Sequence, residues 1–363
     1  MTQAAVLAQM GNTNQTFRNR IINGAMMIDQ RNSGASQTIT SNATYYGVDR
    51  YRLGISGTNA YSLSVQQVTD APSGFIYSQK YTVNTATTIA SGDTFQTGQR
   101  IEYSNCSDLG WFDATSRYYV STYTINSAGT WEQKTITVAS PVAGGATATL
   151  SFWVKSSLTG TFSVLFATSP SPTITGTGLY ICFDLGQGST YQTSLPNVWG
   201  TVAYLSTTTS TRLMANSGAT LQITGVQLEA GTTATPFELR SYGTELALCQ
   251  RYFEMSYDIG TVPGTATTTG IRFFGMGISG ATTGGGGIVF QIPKRSAPTI
   301  VTYDGAGTAN NVSTVPTSST TFTNGRAYTG APFDISTNGF MNQGQGSVGN
   351  VYNFCHFTAS AEL

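Results

Sequence analysis

Few side chains in this 363-residue chain have the types and spacing that covalent chemistry requires. Gly275-Met276-Gly277-Ile278-Ser279-Gly280 matches the G-x-G-x-x-G pattern of a dinucleotide-binding turn, which needs a helix N-terminus behind it to hold a pyrophosphate. The next residues, Ala281-Thr282-Thr283-Gly284-Gly285-Gly286-Gly287, cannot open a helix, so the run reads as a flexible or tightly turned glycine loop. Asp334-Ile335-Ser336-Thr337-Asn338-Gly339 begins like a calcium loop, but Gln345 stands where the bidentate Glu belongs, and a turn is the reading. A serine-hydrolase triad would have to use His356, the single histidine, and no G-x-S-x-G elbow presents a nucleophile. His356 is therefore expected to be packed or at an interface, and sites built from two or more histidines are excluded. Cys106, Cys182, Cys249 and Cys355 are scattered without a C-x-x-C pair, which excludes a zinc ribbon and a redox dithiol and leaves buried thiols. No cofactor or metal is expected.

Two chemistries remain, both directed at sugars. Glycoside cleavage needs a pair of carboxylates at a suitable separation. Asp108, Asp113, Asp184, Asp304 and Asp334 are candidates, with no spacing that selects a pair. Sugar recognition needs no ionisable group: aromatic faces stack on pyranose rings while Asn, Gln, Ser and Thr hydrogen-bond hydroxyls. The 4 Trp, 19 Tyr and 18 Phe supply such faces. Trp131, Trp153 and most Phe are expected in the core. Tyr303, Tyr328, Phe340 and Tyr352, in the last third, are the candidates for exposed, glycan-contacting rings.

The elements that must carry these residues are mostly strands. A two-residue period broken by Gly, Asn, Pro and Ser runs through Tyr61–Val65, Lys134–Val138, Thr149–Lys155, Phe162–Phe166 and Leu221–Leu228. Many short strands at this spacing predict an all-β chain, a sandwich or a barrel. One segment differs. Thr244 to Met255 contains no Gly or Pro, and Leu246, Cys249 and Phe253 fall on one helical face, with Thr244 as N-cap and Glu245 in the first turn. A boundary is placed near residue 240, and a second β segment is expected from about Ile288 to the end. Residues 1–17 read as a small separate element.

Composition narrows the class of partner. Only 9% of residues are charged, with 17 Lys plus Arg against 17 Asp plus Glu. Phosphate binding needs a cationic excess, so no nucleic-acid partner is expected. A hydrophobic fraction of 39% argues against disorder. So little charge leaves a monomer prone to self-association, and a committed oligomer is expected. No stretch approaches a membrane span, so membrane insertion is not expected. Met1–Met10 reads as no secretory signal, and release by lysis fits a protein that works outside the cell in which it is made.

Several blocks together resemble bacteriophage tail-fibre and related virion proteins. They are Arg20–Arg31 with Val48–Tyr51, Leu150–Lys155, Val226–Gly231 with Ala234–Glu238, Glu245–Phe253, Lys294–Thr299 and the ending Ala359–Leu363. In one respect the chain departs from that pattern: Trp131–Thr135 precedes Phe152–Trp153, where the relatives have the opposite order, which leaves the strand topology of residues 100–200 open. The resemblance implies a jelly-roll, carbohydrate-binding-module-like β-sandwich over about 18–240 and a homotrimeric fibre whose distal C-terminal part touches the host. On that basis 1–17 is expected to anchor to tail or adaptor proteins. Residues 241–259 form a linker helix, with Leu246, Cys249 and Phe253 near the trimer axis, and 260–363 form a C-terminal β receptor-binding domain. The expected function is attachment to a host-surface polysaccharide or receptor, on the virion tail, without enzymatic activity. A polysaccharide depolymerase on the same scaffold and a structural head or neck decoration are the alternatives. Within the blocks, Asp29, Asp49, Glu229, Glu238 and Glu245 read as structural, with Asp49 and Arg50 expected to pair with Glu229 or Arg31.

Overall fold

The computed structural model describes residues 17–277, 283–327, 332–345 and 351–363. Alternation of apolar and polar residues dictates most of its strands. In order they are β1 (Gln37–Ile39), β2 (Ala43–Tyr46), β3 (Arg52–Ser56), β4 (Ser62–Val68), β5 (Ser78–Thr85), β6 (Thr94–Glu102), β7 (Arg117–Ile125), β8 (Glu132–Val138), β9 (Ala148–Ser156), β10 (Gly160–Thr168), β11 (Thr177–Gln187), β12 (Gln192–Thr193), β13 (Trp199–Gly200), β14 (Ser206–Thr207) and β15 (Thr220–Ala230). Helix α1 (Tyr242–Gln250) comes next. Then come β16 (Phe253–Met255), β17 (Arg272–Gly277), β18 (Thr283–Val289), β19 (Thr299–Tyr303), β20 (Asn311–Pro316), β21 (Thr323–Ala327), β22 (Gly339–Gln345) and β23 (Val351–Ser360).

Two antiparallel sheets form a sandwich. One has the order β1-β4-β5-β15-β9-β8 and the other β13-β7-β10-β11-β6-β3-β2. The chain crosses repeatedly between the two sheets and so closes a core between them. Leu63, Val65, Tyr81, Val83, Leu150, Phe152 and Val154 meet Leu53, Phe95, Phe162, Val164, Phe166 and Phe183 there, in one cluster that also takes in Trp111. Burial of apolar area at about 25 cal/mol per Å² is the main force holding the sheets together. The segments Glu132–Val138 and Ala148–Ser156 form a simple antiparallel hairpin, which settles the topology left open by their order in sequence. Phe152 is core, as alternation requires, but Trp131 and Trp153 are only half-buried, and Trp131 Nε1 donates to Asp70. The expectation that both are core is corrected: Trp153 alternates with Phe152 and so takes the outer side of β9.

The last third is organised by β23. Its N-terminal half pairs with β17 and β20, and its C-terminal half with β16 and β19. The β18–β22 ribbon lies against β17, and Phe274, Ile288, Phe290, Val312, Phe340 and Phe357 fill the space between. The glycine run is therefore not a presenting loop: Gly284–Gly287 lies within β18. A Cβ at Gly286 would overlap the Phe274 carbonyl, so glycine is what lets the two backbones touch.

Helix α1 ends sooner than its periodicity suggests. Its N-cap is Ser241, whose side chain accepts from Thr244 N, and Thr244 lies inside the first turn. Phe253 is not helical: it opens β16 opposite Ser360, so backbone pairing with the far end of the chain overrides the local period.

Candidate functional site

Two places concentrate chemistry-bearing residues. The first is a buried polar joint where the resembling blocks of the sequence meet. Asn23 Nδ2 donates to the carbonyls of Ile28 and Asp49, while its Oδ1 accepts from Ile28 N, which ties the first block into a tight turn. The same residue's N–H donates to Glu245 of α1. Gln30 Nε2 donates to Asp49 and to the Phe253 carbonyl. Arg31 pairs with Asp49 at 3.2 Å and with Glu362 at 3.0 Å. Arg50 also pairs with Glu362, and its guanidinium lies 3.5 Å from the Tyr252 ring centre. Arg251 and Tyr252 donate to Glu102 of β6, and Arg295 donates to the carbonyls of Ala361 and Glu362. Lys294 is buried against Glu254 at 2.6 Å.

Charges survive this deep only because each has a partner. Burial pushes the Asp49 carboxyl up to about 7 against the opposing pull of Arg31. Burial also works on Glu102, but hydrogen bonds from Arg251 and Tyr252 hold it below the usual range. The block carboxylates are all structural, as expected. Asp29 caps the turn at Asn32 and Gly34, Glu229 holds Thr235 and Arg18, Glu238 accepts from the N–H groups of Arg18 and Asn19, and Glu245 holds Asn23 and Arg240. Asp49 does pair with Arg31; Glu229 takes Arg18, and Arg50 takes Glu362, a partner from the last three residues that sequence did not suggest.

The second place is an aromatic face on the C-terminal sheet. Alternation along β23 sends Tyr352 and Phe354 outward, and Phe273 of β17 lies opposite Phe354. The rings form a connected row: Phe322–Phe354 at 5.2 Å, Phe273–Phe354 at 5.6 Å and Phe273–Tyr352 at 6.0 Å. Phe273 is 55% exposed, Met276 45% and Tyr352 38%. Arg272 is exposed beside Phe273 and shares with it a cleft of about 270 Å³, closed by Gly287–Gln291.

The four candidate rings are thus scattered. Tyr352 lies on this face. Tyr303 is half-buried and packs edge-on against Tyr257 at 5.9 Å. Phe340 is 3% exposed, because β22 pairs with β18 and turns it into the core beside Phe290 and Phe357; its assignment as a surface ring is corrected. Tyr328 lies outside the described residues. Cys249 is buried with Ile22, Ile28 and Tyr252, Leu246 packs on that cluster, and Phe253 packs with Met255 and Tyr257. Cys249 and Phe253 are buried by their own chain, and Leu246 is half-buried. Sequence reasoning missed Phe273, Phe322 and Phe354, although the i, i+2 spacing of Tyr352 and Phe354 carried the signal.

Four of the five candidate carboxylates have partners within the chain. Asp108 pairs with Arg20, and Asp113 with Arg117 at 2.6 Å. Asp184 is buried and accepts from Ser206 Oγ and Gly186 N; Asp304 accepts from the N–H groups of Ala306 and Thr308. Asp334 is exposed in the turn before β22, with φ 48°, as the turn reading of that segment anticipates. His356 is packed: it stacks on Tyr257 at 3.9 Å, Ser256 Oγ lies 3.1 Å from Nδ1, and Nε2 lies 3.0 Å from the Thr267 carbonyl. All four cysteines are buried free thiols. Among the described residues no helix is long and apolar enough to cross a membrane.

No family model matches the chain, and no curated protein sequence does. One solved structure it can be set against is the N-terminal CBM22-1-CBM22-2 tandem domain of Xyn10C from Paenibacillus barcinonensis. That alignment covers 91% of both chains at 8% identity with a TM-score of 0.18, too low to carry any argument about fold or function. The all-β architecture rests on the sheets themselves.

Proposed function

We propose that this chain is a bacteriophage virion fibre, an adhesin that attaches the particle to a host-surface glycan or glycan-decorated receptor. The observation that supports this reading is where the resembling blocks lie. Residues 20–31, 48–51, 245–253, 294–299 and 359–363 are distant in sequence, yet they converge on one buried joint between the sandwich and the C-terminal sheets. A resemblance that falls on such a joint, with its other blocks in and beside the sandwich strands β9 and β15, concerns a shared frame and leaves the outer surfaces free to differ, which suits adhesins that meet different hosts.

In this reading the protein is a homotrimer, residues 1–17 attach to other tail or adaptor proteins, and host contact falls in 260–363. Attachment is non-covalent and multivalent, with weak sites multiplied by symmetry and by several fibres. The test is competition and location. Soluble full-length protein is expected to block adsorption of the phage that encodes it, and an antibody to 260–363 to label the tail and block adsorption. Labelling of the head with no effect on adsorption would favour the decoration reading. Shortening of host polysaccharide by the purified protein would favour the depolymerase reading.

A further inference from the structure

The outer face of the second sandwich sheet brings two arginines together. Arg52 of β3 lies opposite Gly98 of β6, and Arg100 stands two residues further along β6, so both project from one face. Gly98 in turn lies opposite Cys182 of β11, and Arg100 lies opposite Tyr180. Cys182 and Tyr180 pack with Val120, Leu165 and Tyr118 in a cluster separate from the core, which puts both arginines on the outer side. Both are half-buried, and Gly98 adds no side chain between Arg52 and Cys182.

Neither guanidinium sits in an ion pair among the described residues; Arg52 donates to Thr44 Oγ1. A missing ion pair carries little weight alone, because other arginines share it. Arg295 donates to three carbonyls instead, and Arg212 to Gln192. Arg52 and Arg100 differ in acting on one another. Burial, and after it the charge of Arg52, holds the Arg100 guanidinium below its usual range. Like charges on neighbouring strands are destabilising, and half-burial removes part of the water that would screen them. Where Arg31 and Arg50 come together in the polar joint, the chain supplies Glu362, which pairs with both. On the outer face the carboxylates nearest in register are already engaged. Glu102, two residues beyond Arg100, takes Arg251 and Tyr252. Asp184, opposite Gln96, takes Ser206 and Gly186.

We propose that Arg52 and Arg100 form a binding site for an oxyanion: a carboxylate, phosphate or sulfate group in the role that Glu362 plays between Arg31 and Arg50. A guanidinium takes such a group through two parallel N–H···O bonds. The group arrives either as a free ion or as a substituent of a sugar chain, and both present the same oxygens. The site goes beyond the adhesin reading and does not depend on it.

The experiment is calorimetry and thermal unfolding of the full chain with inorganic phosphate, sulfate and acetate. Oligogalacturonate and glycerol-phosphate oligomers present the same groups on a polymer, and dextran is the neutral control. At least one of these anions is expected to bind, to raise the unfolding temperature and to weaken with sodium chloride. Tighter binding of an oligomer than of the free ion with the same group identifies a polymer substituent; equal binding identifies the free ion. Arg52→Gln and Arg100→Gln should each lower affinity about 10-fold, and Arg100→Lys should lower it less. Arg272→Gln, which removes an exposed arginine of the C-terminal sheet, should leave it unchanged. Without ligand, the Arg52→Gln and Arg100→Gln proteins should unfold at or above the wild-type temperature, because each change removes a repulsion. Absence of binding by every anion would overturn the proposal. So would equal weakening by Arg100→Gln and Arg272→Gln, which would make the attraction unspecific. A clear fall in unfolding temperature for both ligand-free Gln variants would also overturn it, by assigning the pair to packing.

Discussion

At the scale of single residues, the joint is held by charges that cannot be separated from their partners. Glu362 is the counter-ion of both Arg50 and Arg31, and the Arg50 side chain has almost no contact with water. Glu362→Gln keeps the shape but leaves Arg50 uncompensated. We expect a loss of about 3–5 kcal/mol in chemical denaturation, far more than for an exposed pair such as Lys155–Asp70. Asp184 makes a different prediction. It is buried without an ion pair, and burial pushes its carboxyl up to about 6 from the usual 3.8. The folded state therefore binds this proton more tightly than the unfolded chain does. The stability it contributes is fully present below about pH 4, falls as pH rises through about 6, and is level above that. Asp184→Asn, which keeps an acceptor for Gly186 N, should flatten that part of a stability–pH curve by about 1–3 kcal/mol. An unchanged slope between about pH 4 and 7 would show that the carboxyl titrates normally.

At the scale of elements, the strands were legible wherever side chains alternate, and Leu63/Val65 in β4, Phe152/Val154 in β9 and Leu221/Ile223 in β15 all face the core that their period demands. What failed was whatever depends on a distant partner. Phe253 fits the helical period of α1 but pairs with Ser360, and nothing local announces it. Phe340 looks like a loop aromatic until β18 takes its strand into a ribbon. The Gly284–Gly287 run has no side chains and so no period, and its purpose, close approach to β17, is visible only in three dimensions. The candidate site was half-legible for the same reason: Tyr352 and Phe354 share a face by spacing, whereas Phe273 joins them through the β17–β23 register. The glycine run gives a test that separates conformation from contact. Gly286→Ala places a methyl against the Phe274 carbonyl and should destabilise the protein by about 1–3 kcal/mol, as overpacking does. Gly287→Ala meets only the Met341 sulfur at ordinary contact, 3.4 Å away, and should change stability little. Equal losses for the two would mean that chain flexibility, not backbone contact, is why the run is glycine.

At the scale of the whole molecule, the question is what a trimer would be built from. With 9% charged residues the surface is largely neutral, and Leu195, Val198 and Val202 lie exposed along one stretch of the sandwich. Cys249 of α1 is enclosed by Ile22, Ile28 and Tyr252 of its own chain and Phe253 lies in β16, so an axial contact through this helix would have to use its other side chains. Oligomerisation and the packing of α1 should therefore be separable. Native mass measurement is expected to give about three times the 38.4 kDa of one chain. Cys249→Ser places a hydroxyl in an apolar pocket and should lower the unfolding free energy by about 1–3 kcal/mol. It should leave the native mass unchanged, since the residue touches its own chain. A stable monomer in the wild type would remove the trimer. A Cys249→Ser protein that stays folded but dissociates would return α1 to the subunit interface.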